Sequence, residues 1–304
     1  MDNYKVAIEG KTFYTGCIED HVSTDYVMRQ LPMPHFGDAT PHLKGSGEGK
    51  VSPLYKSLAK FDPSCFGDES QTTGDCTSHG CRRACDITRA VEVDIKGDSE
   101  SYYKRGATEA IYGYRGSRGA GMDPARASEF VNKYGIIARE KHGDVDLSKY
   151  NASIGIGWGG RGVPDAIKNI AADRSVQTVS LVETVENARD ALRNGYGLHI
   201  GSSQGFSSTR DGEGFAAPRG SWSHDMAVTA CDFTPDRRHG FLIQNSWGEF
   251  NSGGHPWFGE IPVGSFMCDV EVFARMLRSR GCWAMSNVVG FPAQNLPDWG
   301  TDFL

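Results

Sequence analysis

Apolar residues follow a helical period in the first half of this 304-residue chain and form strand-like runs in the second half. A helix is predicted to begin at Cys76, because small and apolar positions then recur every three or four residues. Its predicted buried stripe consists of Cys81, Ala84, Thr88 and Val91. Its predicted solvated face consists of Arg82, Arg83, Asp86 and Arg89. The pattern therefore predicts an amphipathic helix with a cysteine at its N-terminus.

Two more helices carry signals at their ends. Asp123 is a predicted N-cap, Pro124 suits the first turn, and Gly135 ends the helix. Another helix is predicted over Val185–Arg193, with Gly195 as its stop. Both helices precede the strand-rich part of the chain.

Strands dominate the C-terminal half. Runs at 198–200, 226–233, 241–246 and 283–289 are rich in strand-forming residues and are bounded by glycine or charged turns. The glycine-rich stretch 205–221 is predicted to be a mobile surface loop. This order of elements predicts an α+β fold with a helical first lobe and a strand-rich second lobe.

Length and composition suit a large domain with an extension. With 38% hydrophobic residues, the chain can bury one large core or two smaller ones. Residues 1–60 hold scattered prolines and glycines, so they are predicted to form an N-terminal extension or docking arm. Residues 61–304 are predicted to form the main domain, with a helical lobe over about 61–170, a β-rich lobe over about 171–290 and a C-terminal tail to 304.

Charge and hydropathy narrow the partners. A net charge of −6 and a pI near 5.9 leave no basic footprint for nucleic acid. The short pairs Arg82-Arg83 and Arg237-Arg238 are predicted to be solvated surface. No run approaches the ~18 apolar residues of a membrane span, and the first residues lack the apolar core of a secretory signal. The sequence predicts no nucleic-acid or membrane partner and a cytoplasmic or virion-associated location.

Eight cysteines raise the question of disulfides and metals. Disulfide frameworks belong mainly to short secreted chains, so most of these cysteines are predicted to be free thiols. One helical run does hold metal-binding residue types, namely Cys76, His79, Cys81 and Cys85. Four ligands crowded into one helix do not converge tetrahedrally, so neither a metal nor an organic cofactor is expected.

A cysteine, a histidine and an asparagine occur in an order suited to nucleophilic catalysis. His224 lies 148 residues after Cys76, and Asn245 follows 21 residues later in the stretch Asn-Ser-Trp-Gly. A helix N-terminus and an imidazolium partner both lower the pKa of a thiol, and the thiolate is the nucleophile. The order therefore predicts a thiol nucleophile, an imidazole base and an amide that orients the base.

Through these residues, roughly positions 61 to 290 resemble the papain-like cysteine peptidases. The resemblance implies two lobes with the active-site cleft between them, a peptide or protein substrate, and an acyl-enzyme on Cys76. It assigns His224 as the base and Asn245 as the orienter. Trp247 is expected to cover their hydrogen bond from water.

The resemblance also implies an oxyanion hole and a substrate wall. The backbone N–H of Cys76 is one expected donor to the oxyanion. The amide of Gln71 is the other, although it lies five positions before the cysteine and the family's glutamine usually lies six. Gln71 as an ordinary surface residue is the alternative. The predicted substrate-binding residues are Gly119, Gly121, Ser223 and Trp247.

Two neighbours of the cysteine favour a second hypothesis. Asp75 precedes it and Thr77 follows it, where the family usually has a small residue and Trp or Tyr. A carboxylate beside a thiol opposes its ionisation unless the charge caps the helix. The runner-up is therefore a catalytically weak or inactive protein of the same fold, a structural or binding component of a virus particle or other assembly.

Three further alternatives stay open. His79 is a competing base on the same helix as Cys76. Acyl transfer to an amine would use the same residues as hydrolysis. Residues 1–60 would serve as an inhibitory propeptide in many members of the family, but they lack a long amphipathic helix, so docking of an assembly partner is the preferred interpretation.

Overall fold

The computed structural model of the chain describes residues 4–67, 69–97, 103–251 and 255–299. Residues 1–3 of the predicted extension and 300–304 of the predicted tail lie outside these ranges. The helices are α1 (His21–Met28), α2 (Phe36–Ala39), α3 (Tyr55–Phe61), α4 (Cys76–Lys96), α5 (Glu109–Gly113), α6 (Pro124–Tyr134), α7 (Ala152–Arg161), α8 (Asp165–Ala171), α9 (Val185–Arg193) and α10 (Val270–Leu277). The strands are β1 (Lys5–Ile8), β2 (Lys11–Tyr14), β3 (Val51–Ser52), β4 (Lys141–His142), β5 (Val145–Asp146), β6 (Thr178–Leu181), β7 (Leu198–Arg210), β8 (Ala216–Asp232), β9 (Gly240–Gln244), β10 (Ser265–Asp269) and β11 (Cys282–Ser286).

One sheet organises the second lobe. Within the described ranges its strands follow the order β10-β9-β8-β7-β11-β6, and β3 pairs with β8. All of these pairings are antiparallel. Helices α4 to α8 precede the strands of this sheet, apart from short β3, and β4 and β5 form a separate hairpin among these helices. The predicted α+β order, helical lobe first and strand-rich lobe second, is confirmed.

Helix α4 lies between two hydrophobic cores. Ile87 and Val91 belong to the core of the strand-rich lobe, whereas Cys81 and Ala84 belong to that of the helical lobe. Because both cores contact this helix, the docking of the lobes fixes its position. Its first residue, Cys76, is held at the boundary between them.

The predicted solvated face of α4 is wrong for three of its four residues. Arg82, Arg83 and Asp86 are buried, and Arg89 is half-buried. Arg82 forms ion pairs with Glu69 and with Asp86, the latter at 3.2 Å. The helical period did not reveal this, because it does not show a carboxylate brought in by a neighbouring loop.

Glu69 is the centre of that buried ion network. It pairs with Arg82, and its Oε1 lies 3.0 Å from Nε of Arg139. Burial raises the pKa of the Glu69 carboxyl, but Arg82 and Arg139 outweigh it and lower the pKa to about 2. The loop before α4 is therefore tied to the helical lobe by charge.

The helix ends follow the local signals. The Asp123 side chain caps α6 by accepting the N–H of Arg126 at 3.1 Å, and Gly135 ends the helix with φ of 83°. Helix α9 has the predicted bounds, Val185–Arg193. These predictions are confirmed because each depends on residues close in sequence.

The four predicted strands are present, but the first two are longer than expected. Strands β7 and β8 extend through most of 205–221, the stretch predicted as a loop. Phe206, Phe215 and Trp222 are buried and anchor this hairpin. Register shifts between Ser202 and Arg210 let the strands twist without losing their pairing.

The described part of the predicted extension, residues 4–60, packs against both lobes. Leu54 and Tyr55 are buried in the core of the strand-rich lobe. Val27 and Met28 are buried in that of the helical lobe. This segment therefore spans the two lobes.

Close backbone contact between α4 and β7 yields a test of this packing. A β-carbon added at Gly197 would lie 2.2 Å from the carbonyl oxygen of Ala84. We expect Gly197→Ala to lower the free energy of unfolding by about 1–3 kcal/mol, because the helix must shift. Gly212→Ala is the control, since nothing lies within 4 Å of its added β-carbon. Equal urea-unfolding curves for the two variants would contradict this packing.

Candidate active site

Cys76 is fully buried at the first position of α4. The backbone N–H of Asp225 donates to its sulfur. Burial, then the Asp225 carboxylate and, less strongly, Asp75, raise the pKa of the Cys76 thiol well above its ordinary value. In this state the thiol is protonated.

Asp75 does not cap α4 with its side chain. Its Oδ2 accepts the hydroxyl of Tyr150 at 2.9 Å and lies 3.5 Å from Nε2 of His79. His79 thus faces Asp75 and Tyr150, whose ring centroid is 5.0 Å away. The carboxylate before Cys76 thus lies between a tyrosine and a histidine, and its charge opposes ionisation of the thiol.

His224 is fully buried on β8. Its ring stacks on Trp247 with centroids 4.2 Å apart. Neither ring nitrogen has a hydrogen-bond partner among the residues the structure describes. Burial, assisted by the nearby His79, lowers the pKa of His224 to about 3. The imidazole is therefore neutral, as the thiol is.

The hydrogen bond predicted between Asn245 and His224 is not formed in this structure. Oδ1 of Asn245 instead accepts the backbone N–H of Trp247 at 2.6 Å, a local turn that short polar side chains favour. Nδ2 of Asn245 has no partner within the described residues. Trp247 covers the imidazole face, and its indole Nε1 donates to the carbonyl of Tyr14 at 2.5 Å.

Gln71 is buried beside the Asn-Ser-Trp-Gly stretch. Its backbone N–H donates to the carbonyl of Ser246 at 3.0 Å, and its Oε1 accepts the Ser246 hydroxyl at 2.5 Å. Its Nε2 donates to the carbonyl of Thr73 at 2.7 Å. Gln71 therefore fixes the loop before Cys76 to the second lobe, and one amide proton is already engaged. Its surface alternative is wrong, because the side chain is buried.

The two predicted wall glycines differ in setting. Gly121 has φ of 89°, and its N–H donates to the carbonyl of Gly74 at 3.1 Å, two residues before the cysteine. The carbonyl of Gly119 accepts Nε of Arg115 at 2.8 Å on the surface. Of these two glycines, only Gly121 lies against residues 13–18, which cross the cleft, and it does so at Gly16.

That segment, residues 13–18, is here termed the cleft segment. On the second lobe, Phe13 stacks on Trp247 with centroids 4.9 Å apart. The carbonyl of Ser223, next to His224, accepts the N–H groups of Gly16 and Cys17 at 3.0 and 3.1 Å. The cleft segment therefore covers the residues around the imidazole.

On the first lobe, the cleft segment pairs with Met122. The N–H of Met122 donates to the carbonyl of Gly16 at 2.8 Å, and the N–H of Ile18 donates to the carbonyl of Met122 at 3.0 Å, which makes a parallel bridge. Gly16 fits here because it has φ of 147° and no β-carbon, which would lie 2.2 Å from the carbonyl oxygen of Gly74. Extended backbone thus spans both walls of the cleft close to Cys76.

Sequence reasoning missed this segment and also missed Asp225 and His199. Backbone pairing leaves no pattern of side chains to recognise. The available signal for Asp225 was a carboxylate directly after the candidate base, at the start of an apolar run. Its Oδ2 lies 2.9 Å from Nδ1 of His199, and both residues are fully buried.

The cysteines are free thiols, as predicted, and all eight are buried. Among the described residues, no three His, Cys, Asp or Glu side chains converge in a way suited to a metal ion. Over the same residues, no helix is both long and apolar enough to cross a membrane.

Known proteins provide a likeness in structure alone. No protein-family model and no curated protein matches the chain. One similar structure is xylellain, a cysteine protease from Xylella fastidiosa. The alignment covers 90% of this chain and 96% of xylellain, with a TM-score of 0.54 and 14% identity. The alignment with procathepsin B S9 from Trypanosoma congolense covers 92% of this chain and 87% of the procathepsin, with a TM-score of 0.49 and 12% identity. The alignment with the bromelain protease from Ananas comosus covers 78% of this chain and 98% of bromelain, with a TM-score of 0.46 and 10% identity.

These structural neighbours are papain-like cysteine proteases. The chain has the predicted papain-like two-lobed fold, with a helical lobe, a strand-rich lobe and the cleft between them. At such low identity the likeness establishes the fold, and chemistry has to be argued from the site itself.

Displacing the cleft segment should expose the thiol. We expect Gly16→Ala to raise the rate of Cys76 alkylation by iodoacetamide at least tenfold at pH 8, because the added methyl group clashes with Gly74. Peptide mass spectrometry locates the label. Gly10→Ala is the matched control, since Gly10 also has a positive φ but open space around it. Equal rates in both variants would show that the cleft segment does not control access to Cys76.

Acid should also release the cleft segment. While the cleft segment is bound, His224 is buried and has a pKa of about 3, whereas its ordinary value is 6.5. A released, solvated His224 binds more protons between these values, so falling pH in this window favours release. Limited digestion of residues 13–18, with one protease active throughout, should be faster at pH 4.5 than at pH 7.5. The difference should disappear in His224→Phe, and a rate independent of pH in the native chain would refute the linkage.

Proposed function

We propose that this protein is a cysteine peptidase that hydrolyses peptide or isopeptide bonds through an acyl-enzyme on Cys76. The observation that carries the proposal is the cleft segment. A stretch of ordinary polypeptide is bonded to both walls through Met122 and Ser223, next to a thiol at a helix N-terminus. A groove that pairs with extended backbone is suited to a peptide substrate.

The proposed reaction begins when the cleft segment leaves. Water and substrate then reach His224, which takes the proton of Cys76, and the thiolate attacks the substrate carbonyl. The backbone N–H of Cys76 and the amide of Gln71 stabilise the oxyanion. Imidazolium returns its proton to the leaving amine, and His224 then activates the water that releases the acyl group.

The remaining predicted residues act by positioning. Once the cleft segment has left, Oδ1 of Asn245 exchanges its bond with the backbone N–H of Trp247 for one with the imidazole, and Trp247, already stacked on the ring, keeps water from that new bond. Ser223 supplies a carbonyl that the cleft segment now occupies, Gly121 adjoins Met122, which supplies the backbone groups on the other wall, and Gly119 extends this wall. Residues 61–304 form the catalytic domain, and residues 13–18 hold it inactive until they are displaced.

One observation favours the runner-up function. Cys76 and His224 are both neutral in this structure, and Asp75 and Asp225 oppose a thiolate. A structural or binding protein of an assembly would keep such a site without turnover. Acyl transfer to an amine uses the same residues as hydrolysis, and products labelled with an added amine distinguish the two.

Hydrolysis tests the proposal directly. In the Gly16→Ala chain, cleavage of a peptide library should be measured by mass spectrometry with and without Cys76→Ala. We expect loss of at least 10³-fold, because the nucleophile is removed. Cys268→Ala, on β10, is the control thiol and should retain cleavage. Cleavage that survives Cys76→Ala would refute this site, and no cleavage in any variant would favour the binding protein.

A further inference from the structure

Three buried polar side chains, those of Asp225, His199 and Ser128, form a hydrogen-bonded series near Cys76. Oδ2 and Oδ1 of Asp225 lie 2.9 and 3.1 Å from Nδ1 of His199. Nε2 of His199 lies 3.1 Å from Oγ of Ser128. Oγ of Ser128 also lies 3.0 Å from the carbonyl oxygen of Pro124. The three side chains come from β8, β7 and α6, and none is exposed to solvent.

The protons of this hydrogen-bonded series can be assigned from its donors and acceptors. A serine hydroxyl has one proton, and the carbonyl of Pro124 can only accept, so Ser128 donates to Pro124. Ser128 must then accept from His199, which places a proton on Nε2. A second proton lies between Nδ1 and the Asp225 carboxylate, because two acceptors at 2.9 Å would repel. Whichever atom holds that second proton, the net charge of His199 and Asp225 together is zero.

This order of Asp, His and Ser does not make a serine nucleophile. The Ser128 hydroxyl donates to the carbonyl of Pro124, and it is fully buried inside α6. A nucleophilic serine must instead give its proton to the imidazole and face the substrate. The three side chains therefore act on neighbouring groups, and Cys76 is one of the thiols that the Asp225 carboxylate influences.

Asp225 contacts the nucleophile directly. Its backbone N–H donates to the sulfur of Cys76. Its carboxylate fits against α4 only because residue 80 is glycine, since a β-carbon there would lie 2.3 Å from Oδ1. On β7 the contact is looser, since a β-carbon added at Gly201 would lie 3.3 Å from Oδ2. A lone carboxylate in this position would oppose a thiolate at Cys76.

We propose that His199 and Asp225 form a charge-neutral, proton-sharing pair that allows the Cys76 thiolate to form beside a buried carboxylate. The inference rests on the proposed function, because it assigns these residues to the ionisation of the same nucleophile. Both are positioning residues, since they act through Cys76 and do not touch substrate. His199 offsets part of the increase that burial causes in the pKa of the Asp225 carboxyl, in agreement with this pairing.

Other titratable groups surround the pair. The cleft segment, α4 and β11 contribute the buried thiols Cys17, Cys81 and Cys282, each with a raised pKa to which burial contributes most and Asp225 adds. These thiols are protonated and carry no charge. Across a cavity of about 30 Å³ lie Glu69, His79, Arg82 and Arg83. Their charges are present in every variant below, so differences between variants report on the pair.

The pH profile of Cys76 alkylation tests the pair in full-length chains that all carry Gly16→Ala. His199→Asn retains a donor toward Asp225 but leaves the carboxylate charge, so the profile should move upward by roughly one pH unit or more. Asp225→Asn lets His199 stay neutral and leaves the net charge at zero, so its profile should stay within about half a unit. The double variant should return to the parent profile.

The double variant separates electrostatics from damage to the fold. A structural role would add the defects of both single variants instead of cancelling one. If Asp225→Asn lowers the profile by a unit or more while His199→Asn leaves it unchanged, the pair carries a net negative charge and the proposal is overturned. An unchanged profile in His199→Asn alone also overturns it.

Nitrogen-15 NMR of the histidine rings tests the same proposal without using Cys76. In the native full-length chain at pH 8, His199 should carry a proton on Nε2. A ring with Nε2 unprotonated at that pH would overturn the proton assignment. If Cys76 labels in none of the variants, the proposed function fails, and the NMR signal still decides the charge of the pair.

Discussion

The exclusion of water from the boundary between α4 and β8 is the constraint on which the site depends. Cys76 and His224 are both fully buried there, so an ion pair between them would have to form in a low-dielectric setting next to two carboxylates. The cleft segment maintains that exclusion by bonding to Met122 on one lobe and Ser223 on the other. The thiol of Cys76 and the imidazole of His224 are thus neutral because the cleft segment covers them. Displacing the cleft segment lets water reach both groups and makes their charged forms more favourable.

Local chemistry explains what the sequence could predict. Asp123 and Gly135 act within one helical turn of the elements they bound, and Cys76 opens α4 as its spacing indicated. The order of helices before strands followed from a helical period that gives way to strand-like runs, and the papain-like two-lobed arrangement followed from the resemblance. The burial of Arg82 on α4 could not be predicted, because its partner Glu69 approaches from the preceding loop. Sequence spacing contains no information on such partners.

The candidate site divides along the same line. Its candidate residues could be proposed from sequence because a thiol, an imidazole and an amide occur at the order and spacing typical of papain-like peptidases. The contacts between them could not, since Asn245 bonds to its own turn and Gln71 to the adjacent serine. The cleft segment was invisible because its hydrogen bonds are made by backbone groups. The pair of Asp225 and His199 could be found only from the strand register. That register sets Gly201 opposite Asp225 and brings His199, 26 positions earlier, into contact with the carboxylate.

The central claim is that Cys76 forms the acyl-enzyme once the cleft segment is displaced. The most direct measurement is to mix the Gly16→Ala chain with an excess of a peptide ester, quench it in acid within milliseconds to seconds, and locate the acyl group by mass spectrometry. The account predicts a thioester on Cys76 that is absent when His224 is also changed to Ala. An acyl group on another thiol such as Cys17, or none on any residue while the ester is consumed, would contradict it.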